Sequence, residues 1–293
     1  MNYKYADIDD LKIFYREAGD PRNPAIVLLH GFPSSSHMYR NLMTELAGKF
    51  YLIAPDFPGF GNSSAPAPET FAYTFDKLAE VVEKLLVSLD LKKFTLFIQD
   101  YGSPVGFRIA TRHPDWIEGI VSQNGNAYEE GFTGVWDALR SALWKHRTPE
   151  TEAPLAGFFT PEGVKWIYSE GTRDPQAISP DNWAIDLFFL SRPGNHRIQL
   201  DLFYDYRTNV EQYPHWHEYL RGHQPPTLLV WGANDPIFTQ EGGRAFQRDV
   251  KDAELHMLDT GHFALEDHCA EIAAFVSSFH DRKIALRKAA AAD

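Results

Sequence analysis

The sequence predicts an α/β chain: a mostly parallel sheet flanked by helices and interrupted by an inserted helical cap. Three observations lead there. Short β-branched, aliphatic and aromatic runs ending in a turn recur along the chain, helix-period segments follow them, and one long aromatic-rich stretch breaks the alternation.

In chain order, Leu11 to Arg16 is an antiparallel entry strand after the Asp9-Asp10 turn. Ala25 to Leu29 precedes His30-Gly31, Tyr51 to Ala54 precedes Pro55-Asp56, and Phe94 to Ile98 precedes Gln99-Asp100. Gly119 to Ser122, before Gln123-Asn124-Gly125, is a weaker run of the same kind. Thr227 to Trp231 before Gly232 and Glu254 to Leu258 before Asp259 complete the set. Leu78, Val81, Val82, Leu85, Leu86 and Leu89 repeat at three- and four-residue spacing, so one apolar stripe of a helix faces the sheet. A further helix begins around Pro104, with Ser103 as its expected N-cap. The alanine-rich end, Lys288 to Asp293, is expected to be a frayed, weakly helical tail.

From Ala127 to Tyr219 the alternation stops, and 17 of the chain's 41 aromatic residues fall in this stretch. Residues 127–219 are therefore expected to form the cap, and 1–126 with 220–293 the core. The aromatics serve either to pack a small lid or to line an apolar pocket beneath it.

Composition narrows the partners. The 293 residues carry 28 basic and 40 acidic side chains, a net charge of −12 that repels phosphate backbones and anionic lipid. Nucleic acid and membrane are excluded as expected partners, and a small neutral, apolar substrate is favoured; the oligomeric state stays open. No apolar run approaches the roughly 20 residues of a membrane span. The lone Cys269 makes no internal disulfide, and Met1 to Asp10 lacks a basic and apolar leader pattern, so the expected location is the cytoplasm. No spaced His/Cys/Asp/Glu set suggests a metal, and no cofactor is expected.

Ligands of open α/β sheets bind beyond the carboxyl ends of the strands, where this chain places His30, Asp56, Asp100, Asn124, Asp235 and His262. Asp100 opens a tight Asp100-Tyr101-Gly102 turn between strand and helix, the setting of a nucleophile elbow. Asp235 follows the next-to-last strand and His262 the last, giving the order nucleophile, acid, histidine. Asp259 is the competing acid, although it closes its own strand.

These motifs carry a resemblance. His30-Gly31-Phe32-Pro33, Asp56-Phe57-Pro58-Gly59-Phe60-Gly61, Gln99-Asp100-Tyr101-Gly102, Gly232-Ala233-Asn234-Asp235 and Thr260-Gly261-His262-Phe263 together resemble the aspartate-nucleophile branch of the α/β-hydrolases, from Leu11 to Phe279. That branch holds epoxide hydrolases and haloalkane dehalogenases, and the pattern is most similar to short microbial and yeast epoxide hydrolases. The resemblance implies an α/β-hydrolase fold, with an oxyanion hole made by the backbone N–H groups of Phe32 and Tyr101. Esterases of the fold carry serine in G-x-S-x-G at the elbow; here the residues are Ile98-Gln99-Asp100-Tyr101-Gly102.

Aspartate in place of serine changes the chemistry. A carboxylate attacking an acyl carbonyl would give an anhydride, whereas attack at a saturated carbon gives an ordinary ester of Asp100. Water deprotonated by His262 would cleave that ester, with Asp235 holding the imidazole tautomer.

A departing halide needs donors such as an indole N–H, and dehalogenases of the branch usually carry tryptophan right after the nucleophile, where this chain has Tyr101. Tyr101 and Pro104 also replace the arginines that hold fluoroacetate in its dehalogenases. An epoxide oxygen instead needs an acid. Tyr206, in Asp205-Tyr206-Arg207-Thr208-Asn209, is similar to the ring-opening tyrosine motif of epoxide hydrolases, and Tyr168 is taken as its partner over Tyr128 and Tyr204. His30, Trp144 and Asn126 are placed at the substrate pocket, His30 by shaping the oxyanion loop. The expected activity is thus epoxide hydrolysis to a vicinal diol. The alternative is a haloalkane dehalogenase with Trp144 or Trp136 as halide donor, and a third reading is a non-catalytic ligand-binding protein on the same scaffold.

Overall fold

The chain opens with a mostly solvent-exposed segment followed, after the Asp9-Asp10 turn, by a mostly buried one. In the computed structural model, which describes residues 1–287, they form β1 (Asn2–Ile8) and β2 (Leu11–Ala18). β3 (Ala25–Leu29), β4 (Tyr51–Pro55), β5 (Phe94–Gln99) and β7 (Thr227–Gly232) follow, every residue of each buried, together with β6 (Ile117–Gln123) and β8 (Glu254–Leu258). Strands this apolar need cover on both faces, and parallel pairing through helical crossovers supplies it. The sheet runs β1-β2-β4-β3-β5-β6-β7-β8, antiparallel at β1/β2 and β2/β4 and parallel elsewhere. β1 is the strand absent from the expectations. Five of its first six residues are exposed, so it shows no buried apolar run.

Helices α1 (Arg40–Leu46), α2 (Phe75–Ser88) and α3 (Gly102–Arg112) belong to the first half of the sheet. The expected stripe of α2 is buried at Leu78, Val81, Val82, Leu85 and Leu86, each worth roughly 1.5–3 kcal/mol in transfer free energy. Thr74 caps this helix through the Lys77 N–H. α3 starts earlier than expected, at Gly102, and Ser103 is not its cap: its hydroxyl donates to the Asn126 carbonyl at 2.9 Å. The tight elbow turn runs straight into the helix, which leaves Ser103 inside the first turn.

Between β6 and β7 the described structure is helical: short 3₁₀ and π turns, then α4 (Pro149–Glu152), α5 (Pro161–Ser169), α6 (Asp181–Leu190), α7 (Asn195–Asp205) and α8 (Arg207–His223). Its aromatics join the sheet's own core rather than forming a separate one; Phe203 meets Phe32 edge-on at 5.1 Å between ring centres. α9 (Gln240–Asp249) and α10 (Cys269–Phe279) complete the flanks. Among the described residues no helix is long and apolar enough to cross a membrane. The alanine-rich end, Lys288 to Asp293, lies outside the described residues.

Candidate active site

β5 lies between β3 and β6, with Leu29 opposite Ile98 and Gln99 opposite Gln123. This register lines up His30, Asp100 and Asn124 just beyond the carboxyl ends of three neighbouring strands. Asp100 takes a left-handed backbone, φ 45°, at the turn into α3. Such a conformation costs a non-glycine residue about 1–3 kcal/mol and persists where the surroundings fix it. They do so here by close approach: a Cβ at Gly102 would sit 1.9 Å from the Leu29 carbonyl oxygen, and one at Gly31 would sit 2.3 Å from Asp100 Oδ1.

The Phe32 backbone N–H donates to Asp100 Oδ1 at 2.7 Å, and the Tyr101 N–H also bonds this carboxyl. Burial raises the Asp100 pKa, while the neighbouring His262 and these two donors hold it down in part. Oδ2 is left facing His262, whose Nε2 lies 3.9 Å away.

His262 enters from the loop after β8, fully buried. Its Nδ1 donates to Asp235 Oδ2 at 2.9 Å, which leaves Nε2 toward Asp100. Burial lowers the His262 pKa, but the charge and hydrogen bond of Asp235, with Asp100 behind them, outweigh it and raise it overall. Asp235 is itself held, by the Ile237 N–H at 2.7 Å on Oδ1 and by Asn124 Nδ2 at 2.7 Å on Oδ2. The competing acid Asp259 lies outside the site, paired with Arg173 at 3.1 Å and bonded by Asn234.

Asp100 and His262 open on a small cavity otherwise lined mainly by apolar side chains such as Phe32, Trp136, Phe203 and Ile237. Such a lining favours a small uncharged ligand. Trp136 and Trp144 both spend their indole N–H groups on backbone carbonyls, of Ile237 and Phe203, each at 2.9 Å.

Tyr206 is fully buried behind the cavity wall and is not itself among the lining residues; its ring lies 4.5 Å from Trp136, which does line the cavity, and 6.1 Å from Tyr101 between centres. No acceptor holds its hydroxyl in hydrogen-bond geometry. Burial drives its pKa well above that of a free phenol, and the adjacent Tyr213 hydroxyl and the Asp100 charge drive it further, so it carries its proton.

Four expected site residues are placed elsewhere. Tyr168 stacks on Phe263 at 4.0 Å and donates its hydroxyl to Asp186 Oδ2 at 2.6 Å, so it is not brought to the cavity. Trp144 stacks against Tyr206 from outside the lining. Asn126 Nδ2 is used within a turn, on the Tyr128 carbonyl at 2.8 Å. His30 lies behind the oxyanion loop, bonded through Nδ1 to the Gly31 carbonyl and accepting the Phe57 N–H at Nε2, both at 3.1 Å. Burial pushes its pKa down to about 3, so it is a neutral brace. Among the described residues no group of His, Cys, Asp and Glu is placed to hold a metal ion.

Residues 24–268 match the family described as alpha/beta hydrolase fold. The chain belongs to this family. This alpha/beta hydrolase is 43% identical over 274 residues to the uncharacterized hydrolase YNR064C of Saccharomyces cerevisiae, covering 92% of this chain and 93% of that one. It is 40% identical over 290 residues to haloalkane dehalogenase 1 of Mycobacterium tuberculosis strain H37Rv, covering 91% of this chain and 87% of the relative. The solved structure of epoxide hydrolase CorEH superposes with a TM-score of 0.78 at 21% identity, over 96% of this chain and 98% of that one, and shares the fold. The chain is therefore a hydrolase of the alpha/beta fold, with both epoxide hydrolases and haloalkane dehalogenases among its relatives.

Three residues at the site lie outside the expected set: Gln99 against the His262 ring, Asn124 against Asp235, and Tyr213 beside Tyr206. Strand-end position pointed to Asn124 without giving it a task. Gln99 belongs to the elbow motif but nothing in the sequence gives it a task, and Tyr213 carries no sequence signal that separates it from ordinary packed residues.

Proposed function

We propose that this hydrolase opens a small, neutral, apolar epoxide to a vicinal diol through an ester on Asp100. One contrast carries the choice: the buried phenol of Tyr206, packed against Tyr101 and Trp136, keeps its proton and has no acceptor on its hydroxyl, while the indole N–H groups of Trp136 and Trp144 are already spent on backbone carbonyls. A phenol suits a leaving alkoxide; a halide would want the indoles.

Asp100 Oδ2 attacks an epoxide carbon, the C–O bond breaks, and Tyr206 protonates the departing oxygen. Water then gives a proton to His262 Nε2 while its oxygen attacks Cγ of Asp100, and the oxyanion develops on Oδ1 between the Phe32 and Tyr101 N–H groups. Collapse breaks the bond from Cγ to the alkyl oxygen, which takes the proton from His262 and leaves as the diol. The proton remaining on the carboxyl returns to Tyr206. In this reading residues 1–126 and 220–293 form the catalytic core, and 127–219 form a cap that supplies Tyr206.

Intact mass of a His262→Gln variant tests the chemistry. An epoxide adds its whole mass to Asp100, because ring opening loses no atoms; a haloalkane adds only its alkyl group. Alkyl-only adducts, or none from any epoxide, would overturn the proposal.

A further inference from the structure

We infer that Gln99 is a positioning residue for the catalytic histidine: its side-chain amide donates to the neutral His262 ring and turns to accept from the imidazolium. The geometry starts at two glutamines, Gln99 and Gln123, paired across the ends of β5 and β6 and both fully buried. Gln123 Nε2 bonds the His262 backbone carbonyl at 3.0 Å and Asn124 Oδ1 at 2.6 Å, so it fixes the main chain of the histidine. Gln99 addresses the ring, its amide nitrogen 2.9 Å from Nε2.

Because Nδ1 faces the Asp235 carboxylate, an acceptor, the neutral ring has its proton on Nδ1 and a lone pair at Nε2. The contact is then an N–H of Gln99 donated to that lone pair. Gln99 Oε1 meanwhile is buried with no partner. An amide is the side chain that offers a donor and an acceptor from one position, exchanged by a half-turn about its last bond. A half-turn of the amide first frees the single Nε2 lone pair; Nε2 then takes the proton from water while Oε1 accepts the new N–H, and when the proton passes to the departing alkoxide the amide turns back. Gln99 neither gains nor loses a proton.

The titratable groups facing the ring are Asp235 and Asp100, and Phe238 and Phe263 flank it. For its timing the inference rests on the Asp100 ester: once esterified, Asp100 bears no charge, and Gln99 is the remaining polar side chain identified against Nε2.

The test titrates the His262 imidazole by NMR in the ligand-free protein and follows ester hydrolysis by rapid quench and intact mass, for wild type, Gln99→Glu and Gln99→Met. Gln99→Glu supplies a permanent acceptor, so the His262 midpoint rises by about one pH unit or more and the pH dependence of ester hydrolysis follows it. Gln99→Met supplies neither group. It slows ester hydrolysis about tenfold or more, with ester formation close to wild type. A wild-type midpoint in Gln99→Glu, or wild-type ester hydrolysis in Gln99→Met, overturns the inference. A shifted midpoint in a protein that forms no ester would instead leave the Gln99 contact standing and remove the Asp100 ester.

Discussion

Asn124 Nδ2 donates to Asp235 Oδ2 at 2.7 Å, the same oxygen that accepts from His262 Nδ1 at 2.9 Å. Two neutral donors converge on one carboxylate oxygen, while Asn124 Oδ1 accepts the Gly232 N–H at 2.8 Å and so ties the ends of β6 and β7 together. Asn124 also holds a left-handed backbone, φ 49°, which asparagine and aspartate tolerate better than most residues. Asn124→Asp should therefore keep the turn but replace a donor with a like charge. Losing a hydrogen bond to a charged group costs about 1.5–3 kcal/mol, so ester hydrolysis should slow roughly 10- to 100-fold while the chain still folds. Single-turnover decay of the covalent adduct checks this; unchanged decay would remove Asn124 from the relay.

The two chemical steps should separate by pH. Ester formation needs ionised Asp100, whose pKa burial raises above its ordinary 3.8, so its rate falls as pH drops through a point above that value. Ester hydrolysis needs neutral His262, whose pKa burial lowers but Asp235, with Asp100 behind it, raises to a net position above 6.5, so its rate falls as pH drops through a point above that value. Asp235 keeps its charge after Asp100 is esterified, so the second limb persists in the intermediate. Wild-type enzyme mixed with an epoxide should accumulate adduct at pH values between the two limbs and hold little of it above both. Acid-quenched intact mass across pH measures this, and equal adduct at every pH would contradict the assignment of His262 as base.

Why some of this was legible in the sequence follows from which interactions leave a local trace. Strands buried on both faces show as unbroken apolar runs, so β3 was read to its final residue and β5 to within one. β1 is held by pairing with β2 and has no buried face, so it left no pattern. Asp100, Asp235 and His262 stand out because turns after strands limit which residues fit there. Tyr168 lies in α5 and Tyr206 at the junction of α7 and α8, and only tertiary packing sends one hydroxyl to Asp186 and leaves the other beside Tyr213. Gln99 is likewise visible only once the loop after β8 brings His262 back across β5.

That difference between the tyrosines gives a paired prediction. Tyr206→Phe removes the proton donor for the opening ring and should slow ester formation about 100-fold or more, leaving ester hydrolysis nearly intact. Tyr168→Phe instead strips a hydrogen bond from the buried Asp186 and should lower stability by roughly 1–3 kcal/mol, with ester formation little changed. Denaturant unfolding and burst kinetics on the same two variants discriminate the roles. Slow ester formation in Tyr168→Phe would return it to the catalytic set.

Halide binding offers the last discrimination. A dehalogenase must hold the halide it releases, and an apolar chamber does this only through N–H donors aimed at the leaving group. Here Trp136, which lines the cavity, gives its N–H to the Ile237 carbonyl, and Trp144 gives its own to that of Phe203. Position 101, directly after Asp100, is a tyrosine whose buried pKa lies well above that of a free phenol, driven up by burial and then by the Asp100 charge beside it. That same charge also repels an anion arriving before reaction. Bromide should therefore cause no saturable quenching of tryptophan fluorescence and no product inhibition, and bromoalkanes should alkylate Asp100 about 100-fold or more slowly than a terminal epoxide of similar size. Saturable bromide binding that disappears in Trp136→Phe would show that this indole turns away from the Ile237 carbonyl to meet a halide, and would move the preferred substrate from epoxide to alkyl halide.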